Sequence, residues 1–261
     1  MSARIHLDLT LAAGTELLLP AHASRHLQVL RLQPGALITL FDGRGGEWSA
    51  EVVEMGRKTV TARVGAHHAV ERELATPVTL ALGMPANERM DILVEKATEL
   101  GVQLIQPLLC ERSVLRLAGE RAQRKCEHWQ AIAVAASEQC GRTRLPVVAP
   151  VLPLPQWLAR LGRSDGTRVL LSPRPDAAVL PAVVSGGGSL HFLSGPEGGF
   201  SSSEEGLAQR HGFIAAGLGP RVLRAETAPL AALAWTALHM LSSAGQQPAE
   251  PPVQRLTGAS A

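Results

Sequence analysis

The chain has 261 residues, a formal net charge of only +2, 46% hydrophobic, 18% charged and 3% aromatic residues, and no tyrosine. A prior of roughly 100–200 residues per domain points to two domains, the apolar content excludes extended disorder, and so few rings argue against a surface that stacks bases on a row of aromatics. The charge does not by itself identify a nucleic-acid partner; 22 of the 25 basic residues are arginine, which suits forked contacts with phosphate but also follows from genome composition alone.

Residues 1–72 read as a small β-rich domain with barrel-like packing. The segment MSARIHLDLT lacks the basic-then-apolar pattern of a signal peptide. A short helical stretch, 23–31, offers Leu27 and Leu30 to the core and leaves Arg25, His26 and Arg31 at its ends. The apolar runs 36–41, 48–53 and 59–64, punctuated by PG, DGRGG and MGRK, read as strands joined by turns.

A polar stretch, 67–76, leads into a different rhythm over residues 73–245. Strands are expected at 78–82, 102–109, 169–171, 190–193 and 213–216, and helices at 90–100, 127–139 and 202–211 and from 228 onward, with Gly101 and Gly212 as stops. Such alternation implies a parallel sheet covered by helices, an α/β domain. Ser201 with Glu204, or Ser202 with Glu205, supplies a reciprocal cap, and Thr227 followed by Pro229 a second helix start. The final helix is apolar at Leu230, Leu233, Ala234, Ala237, Leu238 and Leu241, and also at Ala231, Trp235 and Met240. It is too short for a bilayer at ~1.5 Å per residue. Apolar surface on more than one face predicts a homodimer contact, with burial inside one subunit as the alternative. The Pro-rich residues 246–261 read as a disordered tail.

Cys110, Cys126 and Cys140 show no CxxC spacing, so no metal site or disulfide framework is expected and reduced cytoplasmic thiols fit. Cys140 reads as a buried structural thiol. Two segments concentrate chemistry just after apolar strands, where open α/β sheets bind ligands. In LSGPEGGF, 193–200, Gly195, Gly198 and Gly199 permit close backbone approach, and the helix that follows turns its free N–H groups toward the loop; an ordinary tight turn is the plainer alternative. In GLGPRVLRAETA, 217–228, Arg221, Arg224 and Glu226 crowd together before an apolar helix; the alternative to a functional site is an Arg224–Glu226 pair bracing the loop. No G-x-G-x-x-G, P-loop, H-E-x-x-H or G-x-S-x-G is present, so a nucleotide-like cofactor would need another architecture.

These segments, with RHLQVLRLQPG, FDGRGGEW, RMDILVEKATELGVQLIQPLLCERSV and HWQAIAVAASEQCGR, resemble the bacterial 16S rRNA uracil-N3 methyltransferases (RsmE family), SPOUT enzymes with a trefoil knot. The resemblance implies a PUA-like N-terminal RNA-binding domain, a knotted methyltransferase domain, a cytoplasmic homodimer, the methyl donor S-adenosylmethionine, and 16S rRNA of the small ribosomal subunit as partner, with no membrane and no metal. The donor pocket it implies comprises Leu171, Leu193, Ser194, Gly195, Pro196, Glu197, Gly198, Leu218, Gly219, Arg221, Leu223, Thr227 and Ala228. Arg224 would stabilise the uracil imide as it loses its N3 proton, and Glu226 would position Arg224 or act as base. Arg25, His26, Arg31, Arg44, Arg112, Gln139, Arg142 and Arg144 would contact RNA. The family usually carries a basic residue in the loop after its first catalytic-domain strand, whereas Met84-Pro-Ala-Asn87 has none, and Ala225 stands where a small hydroxyl residue is common. A SPOUT enzyme acting on tRNA or another rRNA atom, or a noncatalytic ribosome-assembly factor, are the rival expectations.

Overall fold

The structure, a computed structural model, describes residues 2–86, 88–162, 166–184 and 188–241. The expected tail, 246–261, lies outside the described residues.

The first unit contains β1 (Arg4–His6), β2 (Glu16–Leu18), α1 (Ala21–Val29), β3 (Leu37–Phe41), β4 (Glu47–Met55) and β5 (Val60–His68). Its sheet has the order β1-β3-β4-β5-β2, antiparallel except for the β1–β3 pair. Alternation explains β5: Val60, Ala62 and Val64 are buried while Thr61 and Arg63 turn outward, where Arg63 pairs with Glu16 of the neighbouring strand. The core gathers Ile5, Leu27, Leu40, Val52 and their neighbours. Leu27 is fully buried, but Leu30 is 48% exposed, contrary to the sequence expectation. The reason is local: α1 stops at Val29, and Arg31 turns the chain with a φ of +56°, leaving Leu30 outside.

The second unit contains β6 (Val78–Gly83), α2 (Glu88–Glu99), β7 (Leu104–Leu109), α3 (Gly119–Cys140), β8 (Val147–Val148), β9 (Leu152–Pro153), α4 (Leu154–Arg160), β10 (Thr167–Leu171), β11 (Ala178–Val179), α5 (Leu180–Val183), β12 (Leu190–Ser194), α6 (Ser202–Arg210), β13 (Ile214–Gly217) and α7 (Thr227–Leu241). All its strand pairs are parallel, in the order β11-β13-β10-β12-β6-β7-β8 with β9 beside β7. The central strands are apolar on both faces, as a sheet covered by helices on both sides requires: β6 buries Val78, Leu80, Ala81 and Leu82, and β12 buries Phe192 and Leu193. Helix α3 is longer than its apolar periodicity indicated because its first two turns are largely polar. It packs on α2 through the buried Trp129, whose indole N–H donates to Asp91 (2.9 Å), and ends at Gly141 with a φ of +88°.

The two units meet at a seam of ion pairs. Glu47 joins Arg4 to Arg72, Glu71 meets Arg144 at 2.9 Å, and Glu73 meets Arg142. Backbone bonds cross as well, from Gly45 N–H to Thr143 O (3.1 Å) and from Leu145 N–H to Gly43 O (3.2 Å). Arg142 is only 5% exposed and donates to Glu73 and to the carbonyls of Thr98 and Val102. This corrects the expectation that it faces RNA: the guanidinium is consumed internally.

Removing one partner of a buried pair strands the other's charge, so Arg142→Ala is expected to lower unfolding stability by ~3–5 kcal/mol, measured by denaturant titration. Burial pushes the Glu47 and Glu71 carboxyls up, but hydrogen bonds from Arg72 and Arg4, and from Arg144, outweigh it and hold both below their ordinary value of 4.5. Their stabilisation is complete above pH 4.5 and is lost as pH falls through the depressed folded values. Thermal melts at falling pH should therefore show a decline beginning below about 4.5 that Glu47→Gln reduces.

Candidate active site

Because β10, β12 and β13 are parallel neighbours, Leu171, Ser194 and Gly217 end on one edge of the sheet, and the loops that follow open together. Those loops surround a cavity of about 670 Å3, the size of a small-molecule site. Leu171, Phe200, Leu218, Leu223 and Ala228 give it apolar lining; Arg89, Arg112, Arg174, Arg221, Arg224, Glu197 and Glu205 supply charge.

Close approach of the 195–199 loop depends on glycine in the neighbouring strand. A Cβ at Gly83, the last residue of β6, would stand 2.6 Å from Pro196 N and also strike its ring. The loop turns through a Gly199 N–H to Pro196 O bond (2.8 Å), with Gly199 at a φ of +67°. The next helix, α6, closes its own N-terminus: Ser201 and Glu204 form a reciprocal capping box. Glu204 and Glu205 place two carboxylates in that first turn, so the helix end is spent on its own side chains rather than offered to an anion. Of the two capping arrangements open from sequence, the structure adopts Ser201 with Glu204.

Ion pairing distinguishes the arginines. Arg89 in the first turn of α2 lies 3.4 Å from Glu197 and 3.9 Å from Glu226, and Glu197 also accepts the Ala86 N–H at 2.9 Å. Arg112 donates to Gly198 O (3.1 Å), and Arg174 meets Asp176 (2.8 Å) and Glu205 (3.7 Å). Arg221 and Arg224 are exposed, with no ion pair among the described residues.

A family profile described as an RNA methyltransferase domain matches residues 72–237, and one described as an RNA methyltransferase PUA domain matches residues 19–65. The ribosomal RNA small subunit methyltransferase E of Bacillus subtilis strain 168 is 35% identical over 214 residues, covering 79% of this chain and 83% of the relative. The chain belongs to the ribosomal RNA small subunit methyltransferase E family. Its Synechocystis relative of the same name is 36% identical over 79% of this chain and 67% of its own length. The methyltransferase E of Neisseria gonorrhoeae, solved bound to S-adenosyl methionine, superposes with a TM-score of 0.86 at 36% identity, over 91% of this chain and 98% of that one. A putative methyltransferase of Legionella pneumophila, solved with bound SAM, gives 0.87 at 32% identity, over 92% and 98%.

Within this methyltransferase E fold, the residues expected to hold the donor converge on the cavity, except for Leu193 and Thr227. Leu193 is fully buried beneath the loop in a cluster with Phe200, and Thr227 opens α7. Arg224 lines the cavity. Glu226 does not: its side chain is 16% exposed, its Oε2 is buried without a hydrogen-bond partner among the described residues, and its nearest cation is Arg89. The Arg224–Glu226 brace considered from sequence is absent.

Of the residues expected to contact RNA, Arg112 lines the cavity, and Arg25 and His26 border a surface hollow along α1. Arg31 and Gln139 are exposed. Arg44 reaches Thr10 at 3.4 Å, and Arg144 braces the seam. Cys140 is partly exposed rather than buried and does not line the cavity. Burial, with Glu204 nearby, pushes the Cys110 thiol up to about 12, which keeps it neutral and inert. Sequence reasoning overlooked Arg89, Arg174 and Glu205. The first was legible, since RMDILVEKATELG begins with it.

Gly83→Ala should force the 195–196 segment away from β6 and weaken S-adenosylmethionine binding at least about tenfold, equivalent to ~1.4 kcal/mol, while leaving the fold intact. Isothermal titration calorimetry, with a thermal melt as control, checks this.

Proposed function

We propose that this chain transfers the methyl group of S-adenosylmethionine to N3 of a uridine in 16S rRNA of the small ribosomal subunit, acting as a homodimer with trefoil threading of its second domain. The observation that carries the reading is one cavity built from both segments the sequence singled out, 194–199 and 217–228. The residues present fit the donor: glycine loops admit a ligand close to backbone, leucines offer apolar contact to a base, and Ser194 offers a hydroxyl. The relatives solved with this donor bound share the fold over nearly their whole length.

When bound, the donor supplies an electrophilic methyl group on a sulfonium. The chain's part is placement and charge. Leu218 and Leu223, which line the cavity, would pack against the adenine, and the backbone around Ser194–Gly198 and Leu218–Gly219 would read its polar edge. Much of the acceleration comes from holding N3 and the methyl group in near-attack geometry. N3 of uracil carries a proton whose loss leaves negative charge on the imide, and Arg224, a cavity-lining cation without an internal ion pair, stabilises that charge.

Arg112, Arg221 and Arg224 at the cavity, with Arg25, His26, Arg31, Arg44, Gln139 and Arg144 outside it, form the RNA-facing set, from which Arg142 is excluded by its burial. Dimerisation is assigned to α7. Leu238 is 70% exposed, and Trp235, stacked on His239 at 4.7 Å, is only partly buried.

Methyl transfer to isolated small subunits and to naked 16S rRNA, followed by mass analysis of the nucleosides, tests the reading. N3-methyluridine is the expected product, and Arg224→Ala should lower kcat roughly a hundredfold with little change in donor affinity. Methylation of a different atom, or no binding of the donor, would overturn it. RNA affinity should fall steeply with salt, with a log–log slope near −0.7 for each phosphate neutralised on single strands.

A further inference from the structure

We infer that Arg89 is a second catalytic cation of this site and that Glu226 serves to hold it. The inference rests on the proposed uridine-N3 reaction and extends it. Loss of the N3 proton spreads negative charge over both flanking carbonyl oxygens, O2 and O4, so full stabilisation calls for a donor at each. One cation, Arg224, answers half of that demand.

Arg89 meets the second half on three observations. It lines the cavity together with Arg224. Unlike Arg224, it has carboxylate neighbours that orient it: Glu197 accepts from Nη1 at 3.4 Å, and Glu226 lies 3.9 Å from Nε, an ion-pair separation beyond hydrogen-bond reach. Its Nη2 has no hydrogen-bond partner among the described residues, and the side chain remains 42% exposed. A donor fixed before the reaction needs no reorganisation when charge develops, which is why held cations stabilise transition states better than mobile ones. Of the remaining cavity arginines, Arg112 donates to Gly198 O and Arg174 pairs with Asp176 and Glu205, while Arg221 has no ion pair among the described residues to orient it.

Glu226 then has a role that its burial permits. Its Oε2 is sealed from solvent and lies outside the cavity lining, so it is poorly placed to take a proton from the substrate. Its carboxylate instead sits beside Arg89 Nε and ties the first turn of α2 to the loop before α7. In the reaction, the N3–H bond breaks and the proton passes to solvent water. The freed pair on N3 forms the new N–C bond as the methyl–sulfur bond breaks, its electrons staying on sulfur, while Arg89 and Arg224 bear on the two carbonyl oxygens.

The test measures kcat, KM for small subunits and the calorimetric Kd for S-adenosylmethionine in Arg89→Ala, Arg89→Lys, Glu226→Gln and Arg89→Ala/Glu226→Gln. Arg89→Ala should lower kcat at least about tenfold while the donor Kd and the RNA KM stay within about threefold, and Arg89→Lys should recover part of the loss. Glu226→Gln should slow the native enzyme but add nothing in the Arg89→Ala background, because its effect passes through Arg89. Should Arg89→Ala fail to melt cooperatively, Arg89→Gln, which retains bulk and polarity, carries the comparison with Arg89→Lys. An unchanged kcat, a donor affinity that falls in step with the rate, or a Glu226→Gln penalty of undiminished size without Arg89 would each overturn the inference. If the native enzyme makes no N3-methyluridine, the parent reading fails instead, and product analysis tells the two apart.

Discussion

Parallel strands that run side by side must all finish at the same edge of the sheet, and in this chain that constraint applies to β10, β12 and β13, whose sequence order differs from their spatial order. β12 enters between β6 and β10, and β13 then takes the far side of β10. Segments more than twenty residues apart in sequence are thereby delivered to one opening. The cavity is a product of that order, and its tight wall exists because Gly83 ends the adjoining strand without a side chain.

Charge is arranged in two separate sets with different purposes. Around the seam, arginines are matched to glutamates and satisfied, some deeply, as Arg142 is by Glu73 and two carbonyls. Around the cavity, Arg221 and Arg224 have no ion pair among the described residues, while Arg89 lies beside two carboxylates, Glu197 at 3.4 Å and Glu226 at 3.9 Å. A pair at the surface contributes little to stability; the value of the Arg89 contacts is directional, since they fix where a cation points.

Much of this was legible from residues, and the failures share physical causes. Patterning with clear stops identified α2, α6 and β3 to β5, where burial of one face imposes it, while β6 and β7 stood out as continuous apolar runs because both of their faces are covered. The short strands β1, β2, β8, β9 and β11 escaped because two or three residues cannot display a period. Arg142 was misassigned for a different reason. An arginine after a helix end looks the same in sequence whether it meets phosphate or an internal carboxylate, and only packing separates the two. The glycine loops singled out in the sequence border the cavity, yet the capping box of α6 shows that the neighbouring helix end serves itself.

Helix α3 connects features that are otherwise distant. It begins seven residues after Arg112 of the cavity, grips α2 at Asp91 through Trp129 and His128, and finishes where Glu138 accepts the His6 N–H and Gly141 O receives Arg72. Twenty-two helical residues make a strut of about 33 Å. Such a strut fixes the span between α2, gripped at Asp91, and the small domain, gripped at the His6 N–H, so the two units are joined by a rigid helix as well as by the ion pairs of the seam.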